Sequence, residues 1–393
     1  MNYRKLFAEH KIVRDLSLVQ FIAYFGAWFS NVAIYTMLVD FESTEMAISI
    51  VTAMHFLPAI LIAPFSGAII DRVKIKPLMI GLISTELLMT IMFLTISDKS
   101  QIWLLMIFIF IRMSAASMFF STEMSLLAKL LNGKPLQMAN EIHSIIWSFT
   151  YAFGMGISGF VVNAYGIKTA FIIDAVVFFT ALIIFIKIDF VVKASITTDK
   201  IFHLIKDGFI YIKNNKIMLH LILLHSCVGL TSFDALITIL AKNEYKYVIS
   251  VPLAIGISNA VRAVALMFGP IFISKYVIKE NLHYLMIFQG SAVIFWGLVQ
   301  DDFYISLIAL FVVGLSTTTL WSFTYALIQN KCDEKFIGRV ISYNDMIFML
   351  SCVLTTLFIG LMASLTSVDI ITTLLGIAFF AFAFYYTRIL KWI

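Results

Sequence analysis

Charge is scarce in this chain. Only 13% of its 393 residues are Asp, Glu, Lys or Arg, and 61% are hydrophobic, whereas an average soluble domain has about 25% charged residues. So few charges cannot cover the surface of a water-soluble protein of 44.5 kDa, because the apolar residues are spread along the whole chain. This scarcity excludes a soluble fold and indicates that lipid surrounds most of the protein.

Cysteine is also rare, and several sequence signals are missing. The three cysteines, Cys227, Cys332 and Cys352, are far apart, so neither a disulfide framework nor a CxxC metal site is available. The polar N-terminal segment precedes no cleavage site, and we expect no removable signal peptide. No phosphate-binding Walker loop occurs, which excludes ATP as the direct driver. We expect no cofactor, no bound metal and no nucleic-acid partner.

Twelve long apolar runs are present, separated by short connections that carry charges or turn residues. Each is long enough to cross the hydrocarbon core as a helix, which takes about 20 residues, and none alternates as a barrel strand would. The sequence therefore predicts an all-α membrane protein. The predicted spans, numbered 1 to 12 in chain order, are 15–39, 44–70, 77–97, 102–128, 138–164, 167–189, 217–241, 248–274, 283–300, 303–329, 339–366 and 369–390.

The longest polar stretch lies between spans 6 and 7 and divides the chain into two sets of six spans. We predict an N-terminal six-helix bundle at 1–190, a cytoplasmic linker at 191–216 and a C-terminal six-helix bundle at 217–393. Within the linker, Ile201, Ile205, Phe209 and Ile212 recur at helical spacing, which predicts an amphipathic helix at the membrane surface. A solvated linker is the alternative.

The basic residues predict the orientation. Of the 28 Lys and Arg residues, 22 lie in alternate connections that begin with the N-terminal segment, four lie in the other connections, and two, Arg112 and Arg262, lie within spans. Since basic residues collect on the cytoplasmic side, we expect both termini to be cytoplasmic. Lysine outnumbers arginine 21 to 7, and Ile and Phe are abundant, which suggests an AT-rich bacterial genome. We expect the inner (cytoplasmic) membrane as the location.

A short polar motif, GxxxDR followed by bases, stands between spans 2 and 3. Gly67 allows close helix approach, Asp71 can cap a neighbouring helix, and Arg72 and Lys76 can reach carboxylates, for which Glu123 in span 4 is a candidate. Such a group could latch one of two alternating states. In a chain of twelve spans, this motif resembles the signature loop of the major facilitator superfamily.

The resemblance extends to three other segments. Residues 136–140 and 336–340 are similar to the paired connections of the branch that contains the enterobactin and macrolide exporters, and 154–159 is similar to a glycine-rich antiporter motif. The resemblance implies two parallel repeats of six helices. It also implies that spans 1, 4, 7 and 10 line a central cavity, and that Arg112 matches an embedded arginine tied to proton coupling.

Span 1 carries a polar and aromatic stripe of Gln20, Tyr24, Trp28, Asn31 and Tyr35. Steps of three and four residues place them on one face of a helix, and such a face points away from lipid. If spans 1, 4, 7 and 10 line the cavity, this stripe binds substrate. The alternative is that it packs against a neighbouring helix.

Two further spans carry candidate substrate-binding residues. Thr317, Trp321 and Tyr325 in span 10 recur every four residues and form a face that suits a bulky organic ligand. Arg112 in span 4 is a buried cation that needs a partner; either it contacts substrate, or Glu86 of span 3 neutralises it structurally. Asp174 and Asp345 lie near span ends, where they can reach water.

Candidate proton carriers are acids at membrane depth. Asp234 in span 7 is the first choice, with Arg262 of span 8 as its partner, and Glu123 is the second, because carboxyl groups in a low dielectric can exchange protons near neutral pH. His225 lies nine residues before Asp234 and hence on the opposite face of a continuous helix. We interpret His225, His55 and His143 as hydrogen-bonded packing residues.

These features favour a secondary transporter, monomeric and surrounded by membrane lipids, that exports a small amphipathic organic compound such as a drug or siderophore by proton antiport. Uptake of a nutrient by symport and export of a metal ion are the alternatives, although intramembrane His and carboxylates do not cluster at metal-ligand spacing. An intramembrane enzyme is disfavoured because no HExxH, GxSxG or paired-Asp motif occurs in the spans, and a scaffold would not need charges at membrane depth.

Overall fold

Helices form almost the whole of the described chain. A computed structural model describes residues 3–70, 72–190 and 201–392, and within these ranges there is no strand. Twelve helical segments are long and apolar enough to cross a membrane, as the sequence predicts. Their bounds are Lys11–Asp40, Glu45–Ala53 with Leu57–Ile70, Ile75–Phe93, Ile102–Leu130, Gly133–Tyr165, Ile167–Ile186, Lys216–Ser226 with Asp234–Asn243, Val251–Ile273, Leu282–Val299, Phe303–Lys331, Ile337–Met362 and Val368–Ile389.

Lys11, where span 1 begins, and Ile389, where span 12 ends, lie at the same side of the bundle, because an even number of described spans runs between them. We call that side the terminal face and the other the opposite face. A short helix, Tyr3–Glu9, precedes span 1, and a linker helix, Ile201–Asn214, precedes span 7. At the opposite face, Gly166 joins spans 5 and 6 with φ of 84°, a conformation that favours glycine.

The two sets of six spans pack in corresponding ways. Spans 1 and 5 pair as spans 7 and 11 do, spans 2 and 4 as 8 and 10, and spans 3 and 6 as 9 and 12. Between the two halves, span 5 packs on span 8 and span 2 on span 11, which are again equivalent pairs. The architecture is therefore two pseudo-symmetric six-helix bundles, as expected for parallel repeats.

Spans 2 and 7 are interrupted within the membrane, which their apolar sequences do not predict. Span 2 has a turn at 54–56, and span 7 contains a 3-10 segment, Cys227–Thr231, before its second helix begins at Asp234. Gly229 packs closely on span 11, since a Cβ there would lie 2.6 Å from the Ser351 side chain. Irregular backbone is tolerated at this depth where it is buried in protein or lines a cavity.

Candidate functional site between the two halves

The halves are most tightly packed toward the opposite face. A Cβ added at Gly159 of span 5 would lie 2.8 Å from the Pro252 carbonyl oxygen and 3.2 Å from Gly256 of span 8. Small residues permit such close helix approach in membranes. At the edge of this face, Lys242 Nζ lies 2.8 Å from a Glu45 carboxylate oxygen and donates to the Ser43 carbonyl at 2.8 Å.

The apolar core shows the same asymmetry. One buried cluster joins the C-terminal half to the part of the N-terminal half nearest the opposite face, including Phe29 and Tyr151. A separate cluster, which includes Leu16, Met79 and Phe178, fills the terminal side of the N-terminal half alone. The buried apolar core is thus continuous between the halves only away from the terminal face.

Replacing Gly256 with alanine should weaken the closed opposite face. The added Cβ would lie 2.8 Å from the Met155 carbonyl oxygen, so spans 5 and 8 must separate. Electron-spin distances between labels at Tyr165 and Tyr247, which are exposed near this face in different halves, should shift to longer values. Gly338→Ala is the control because nothing lies within 4 Å of a Cβ there; an unchanged distribution in the Gly256 variant would contradict the expectation.

A partly buried arginine, Arg262, lies near the middle of span 8, where the halves meet. The Arg262 guanidinium stands 6.0 Å from the Tyr151 ring of span 5 and 5.7 Å from the Phe233 ring at the break in span 7. Its Nη1 is buried without a hydrogen-bond partner. Asn259, one turn earlier, accepts a hydrogen bond of 3.3 Å from the Tyr151 hydroxyl. Burying a guanidinium nitrogen without a hydrogen bond costs free energy. The arrangement therefore indicates a group that can take up another partner.

Asp234 is the first residue of the second helix of span 7. The amide groups at a helix N-terminus favour a carboxylate. Asp234 and Arg262 both act electrostatically on the hydroxyls of Tyr35 and Tyr151. Within the described ranges, however, no ion pair of 4.0 Å or less includes either Asp234 or Arg262. Asp234 and Arg262 therefore interact electrostatically but do not form an ion pair in this conformation.

The break in span 2 faces the same region. His55 lies in its turn, with Nε2 3.2 Å from Oδ1 of Asn31 and its ring 5.9 Å from that of Tyr35. It is also within electrostatic range of Asp234. Two interrupted helices, one from each half, thus meet at the interface between the repeats, where transporters of this architecture hold substrates and coupling ions.

The rest of the span 1 stripe packs on span 5. Trp28 lies 4.4 Å from Tyr151 and 5.8 Å from Trp147 between ring centroids, and the Tyr24 ring meets His143 edge-on. Tyr24, Trp28 and Asn31 are half-buried, whereas Tyr35 is buried. Both interpretations of the stripe therefore apply: it packs against other helices and keeps aromatic surface accessible beside Arg262.

A matching aromatic group stands in the C-terminal half. Trp321 and Tyr325 stack with centroids 4.8 Å apart, and His225 meets both rings edge-on. Trp321 remains 38% exposed. His225 donates to or accepts from Thr324 at 2.8 Å, in keeping with a hydrogen-bonded packing role, but the break in span 7 invalidates the helical-wheel argument that placed it opposite Asp234. Thr317, in contrast, turns its hydroxyl to Gln289 of span 9.

Arg112 is held inside the N-terminal half. Its Nη2 lies 2.8 Å from Oδ2 of Asp174, and Ser30 donates to the same oxygen. The side chain also lies over the rings of Phe93 and Phe178. Arg112 therefore has a structural partner, but the expectation that Glu86 supplies it is wrong. The expectation that Asp174 reaches water is also wrong, since Asp174 is fully buried.

Glu123 belongs to a second buried polar cluster, near the terminal face. Its Oε2 lies 3.7 Å from Nδ1 of His143, and the Gln20 amide contacts the same nitrogen. Oε2 has no hydrogen-bond partner and the residue is 2% exposed. Within the described ranges, no hydrogen bond or ion pair joins Glu123 to Arg72 or Lys76.

The predicted latch is described only in part. Lys76 lies 3.4 Å from an Asp189 carboxylate oxygen, so its partner is in the connection after span 6 rather than in span 4. Arg72 is exposed, Gly67 lies within the helix Leu57–Ile70, and Asp71 is outside the described residues. The latch stays a prediction.

The fold and much of the sequence match known transporters. The chain is 26% identical over 222 residues to the uncharacterized MFS-type transporter YfiS of Bacillus subtilis, which covers 55% of this chain and 52% of that protein. It is 26% identical over 174 residues to YkuC of the same bacterium, covering 44% and 40%. The matched segment spans about half of the first of these relatives and less of the second.

Solved structures share the fold at low identity. The nucleoside transporter NupG superposes with a TM-score of 0.77 at 12% identity, covering 96% of this chain and 99% of that one. A bacterial homologue of the human lysosomal transporter Spinster, in an inward-facing conformation, gives 0.72 at 12% identity, covering 97% of both chains. The family model of the Major Facilitator Superfamily matches residues 16–356. The chain therefore belongs to the Major Facilitator Superfamily and is a multi-pass membrane protein.

Proposed function

We propose that this transporter exports a small amphipathic organic compound, such as a drug or siderophore, in exchange for protons, and that Asp234 with Arg262 couples the two movements. One observation carries the proposal: at mid-membrane, where two interrupted helices from different halves meet, a half-buried carboxylate and a guanidinium with an unpaired nitrogen lie close without bonding. Because the two groups do not form an ion pair, a proton or a substrate can interact with either of them without first breaking one.

The packing between halves supports alternating access. Close contacts and the shared apolar core lie at the middle and toward the opposite face, so this conformation favours entry from the terminal face. The basic residues predict that this face is cytoplasmic. A compound would then enter from the cytoplasm and leave when the halves rock about the fixed site.

The walls of the site support an amphipathic, aromatic-binding substrate. Trp28 and Tyr151 on one half and Trp321 and Tyr325 on the other offer ring surface with polar edges. Aromatic rings give large apolar contact areas, and Tyr and Trp also hydrogen-bond at one end. Arg112, held by Asp174, is not part of this proposed binding surface.

The opposite charges of Asp234 and Arg262 provide a mechanism that couples transport to proton movement. A deprotonated Asp234 offsets part of the charge of Arg262, on which it acts electrostatically in a low-dielectric setting. Protonation removes that attraction and leaves Arg262 free to interact with substrate or with Tyr151. Glu123 beside His143 is a second proposed proton site, because among the described residues its Oε2 accepts no hydrogen bond. Among the described residues no group of three or more His, Cys, Asp or Glu could hold a metal, so no observation favours metal export.

A binding and transport panel tests the function. Purified protein should gain thermal stability with macrolides, siderophores or hydrophobic dyes but not with sugars or amino acids, since ligands that bind the folded state raise its stability. A stabilising compound should then accumulate in inverted proteoliposomes when their lumen is acidic. Stabilisation only by nucleosides, peptides or sugars, with accumulation in the reverse direction, would show a nutrient symporter instead.

A further inference from the structure

A groove lies at the terminal face, outside the site between the halves. It has a volume of about 580 Å³ and is bounded by the linker helix, the start of span 7 and the connection before span 11. The linker helix contributes Asp207, Ile210, Tyr211 and Asn214, which share one face at steps of three and four residues. Asn215, Lys216, Ile217 and Phe336 complete the lining.

The walls of the groove are held in place by specific contacts. The rings of Tyr211 and Phe336 stack with centroids 4.4 Å apart and an interplanar angle of 13°. The Tyr211 hydroxyl accepts from the Asp333 amide at 3.1 Å. Asp207 lies 4.0 Å from Arg339, and Gly208 lets the linker helix approach that side chain closely. These contacts fix the positions of the groove walls within the C-terminal half.

Cations outnumber anions around the groove. Lys335 and Arg339 lie 5.7 Å and 5.5 Å from the Phe336 ring. Lys216 is exposed, and in the part of the chain that the structure describes its side chain takes part in no hydrogen bond or ion pair. The linker adds exposed Lys213, whereas the acids beside the groove whose side chains the structure describes are Asp207, which lines it, and Asp333. The groove thus suits an anion.

An apolar stripe continues from the groove into the membrane. Leu219 and Leu223 follow Lys216 at steps of three and four, on the same face of span 7, and are 53% and 48% exposed. Ile210 on the linker helix is also exposed beside the groove. A lysine at the membrane boundary can contact a lipid headgroup, and exposed leucines next to it can contact the acyl chains.

We propose that this groove binds the headgroup of an anionic phospholipid, with Lys216 on the phosphate and the acyl chains along Leu219 and Leu223. The lipid would then tie the linker helix to span 7 and anchor it at the membrane surface. The proposal does not depend on which substrate is transported or on proton coupling.

Native mass spectrometry of the full-length protein tests this binding. Dioleoylphosphatidylglycerol should bind more tightly than dioleoylphosphatidylcholine, which has the same acyl chains and no net charge. Lys216→Gln should weaken phosphatidylglycerol binding about fivefold, the effect of one base near an anionic lipid surface, and leave phosphatidylcholine binding unchanged. Lys11→Gln is the matched control, because Lys11 is likewise an exposed first residue of a span at the terminal face.

Three outcomes would overturn the proposal. Equal binding of the two lipids would show no anion preference, and equal losses in the Lys216 and Lys11 variants would show a diffuse charge effect. Equally strong binding of glycerol 3-phosphate, which lacks acyl chains, would show a site for a soluble anion instead. Thermal unfolding of both variants in phosphatidylcholine checks that they fold; if Lys216→Gln does not, Leu219→Gln should selectively reduce lipid binding relative to glycerol 3-phosphate.

Discussion

Asp234→Asn is expected to abolish accumulation of substrate driven by a pH gradient while the protein stays folded. Asparagine keeps the size and hydrogen-bonding shape of the side chain but cannot carry a proton, so the charge opposite Arg262 no longer changes during the cycle. Exchange of substrate across the membrane without a gradient should continue, because it needs only the binding site and the rocking of the halves. Proteoliposomes loaded with labelled substrate measure both activities.

The matched control is Asp301→Asn. Asp301 is an exposed carboxylate in the connection between spans 9 and 10, so its neutralisation should leave both activities at wild-type values. If Asp234→Asn retained full gradient-driven accumulation, Asp234 could not be the proton carrier, and Glu123 beside His143 would be the remaining candidate.

Asp174→Ala should destabilise the N-terminal half by about 3–5 kcal/mol, the usual cost of removing one partner of a buried ion pair. It would leave the Arg112 guanidinium, which is 4% exposed, without its carboxylate and would also remove the acceptor for Ser30. We expect a lower thermal midpoint in detergent and poor membrane expression. Substrate affinity per folded molecule should change little, because this pair lies outside the proposed binding surface.

Two further variants separate the ion pair from general damage. Arg112→Met combined with Asp174→Leu removes both charges and should recover most of the lost stability, as apolar replacements of buried pairs often do. Asp15→Ala removes the partner of Arg14 in a pair at 2.9 Å whose arginine is exposed and whose aspartate is partly buried, and should cost at most about 1 kcal/mol. If Asp174→Ala melted like wild type, or if the double variant were no better than the single one, the pair would not be structural.

Sequence reasoning could predict the spans because their signal is local. A helix in lipid must form all its backbone hydrogen bonds internally and present apolar residues over the width of the membrane. Each apolar run therefore predicts a span without any information about the other helices. The pairing of Arg112 is different. Glu86 and Asp174 are both acids near the depth of Arg112, and only the rotation of spans 3 and 6 against span 4 decides which one reaches it.

The interruptions in spans 2 and 7 could not be predicted for a related reason. The residues around His55 and Gly229 are as apolar as their surroundings, and the breaks exist because neighbouring helices bury the irregular backbone. Two signals are available in the sequence: Gly229 in span 7, since glycine permits close approach, and Pro58, the second residue of the helix after the break in span 2, which cannot continue a preceding helix without a break or kink. A continuous helix predicts that His225 and Asp234 lie on opposite faces, and the break removes that relation. The selection of Asp234 and Arg262 does not depend on it.

The central claim is that Asp234 carries the proton that drives export, and substrate-linked proton movement tests it most directly. A pH-sensitive dye inside proteoliposomes should report a proton flux opposite to the flux of an added substrate in the wild-type protein. That proton flux should disappear in Asp234→Asn while labelled substrate still exchanges. Substrate transport without proton movement in the wild type, or an undiminished proton flux in the variant, would contradict the claim.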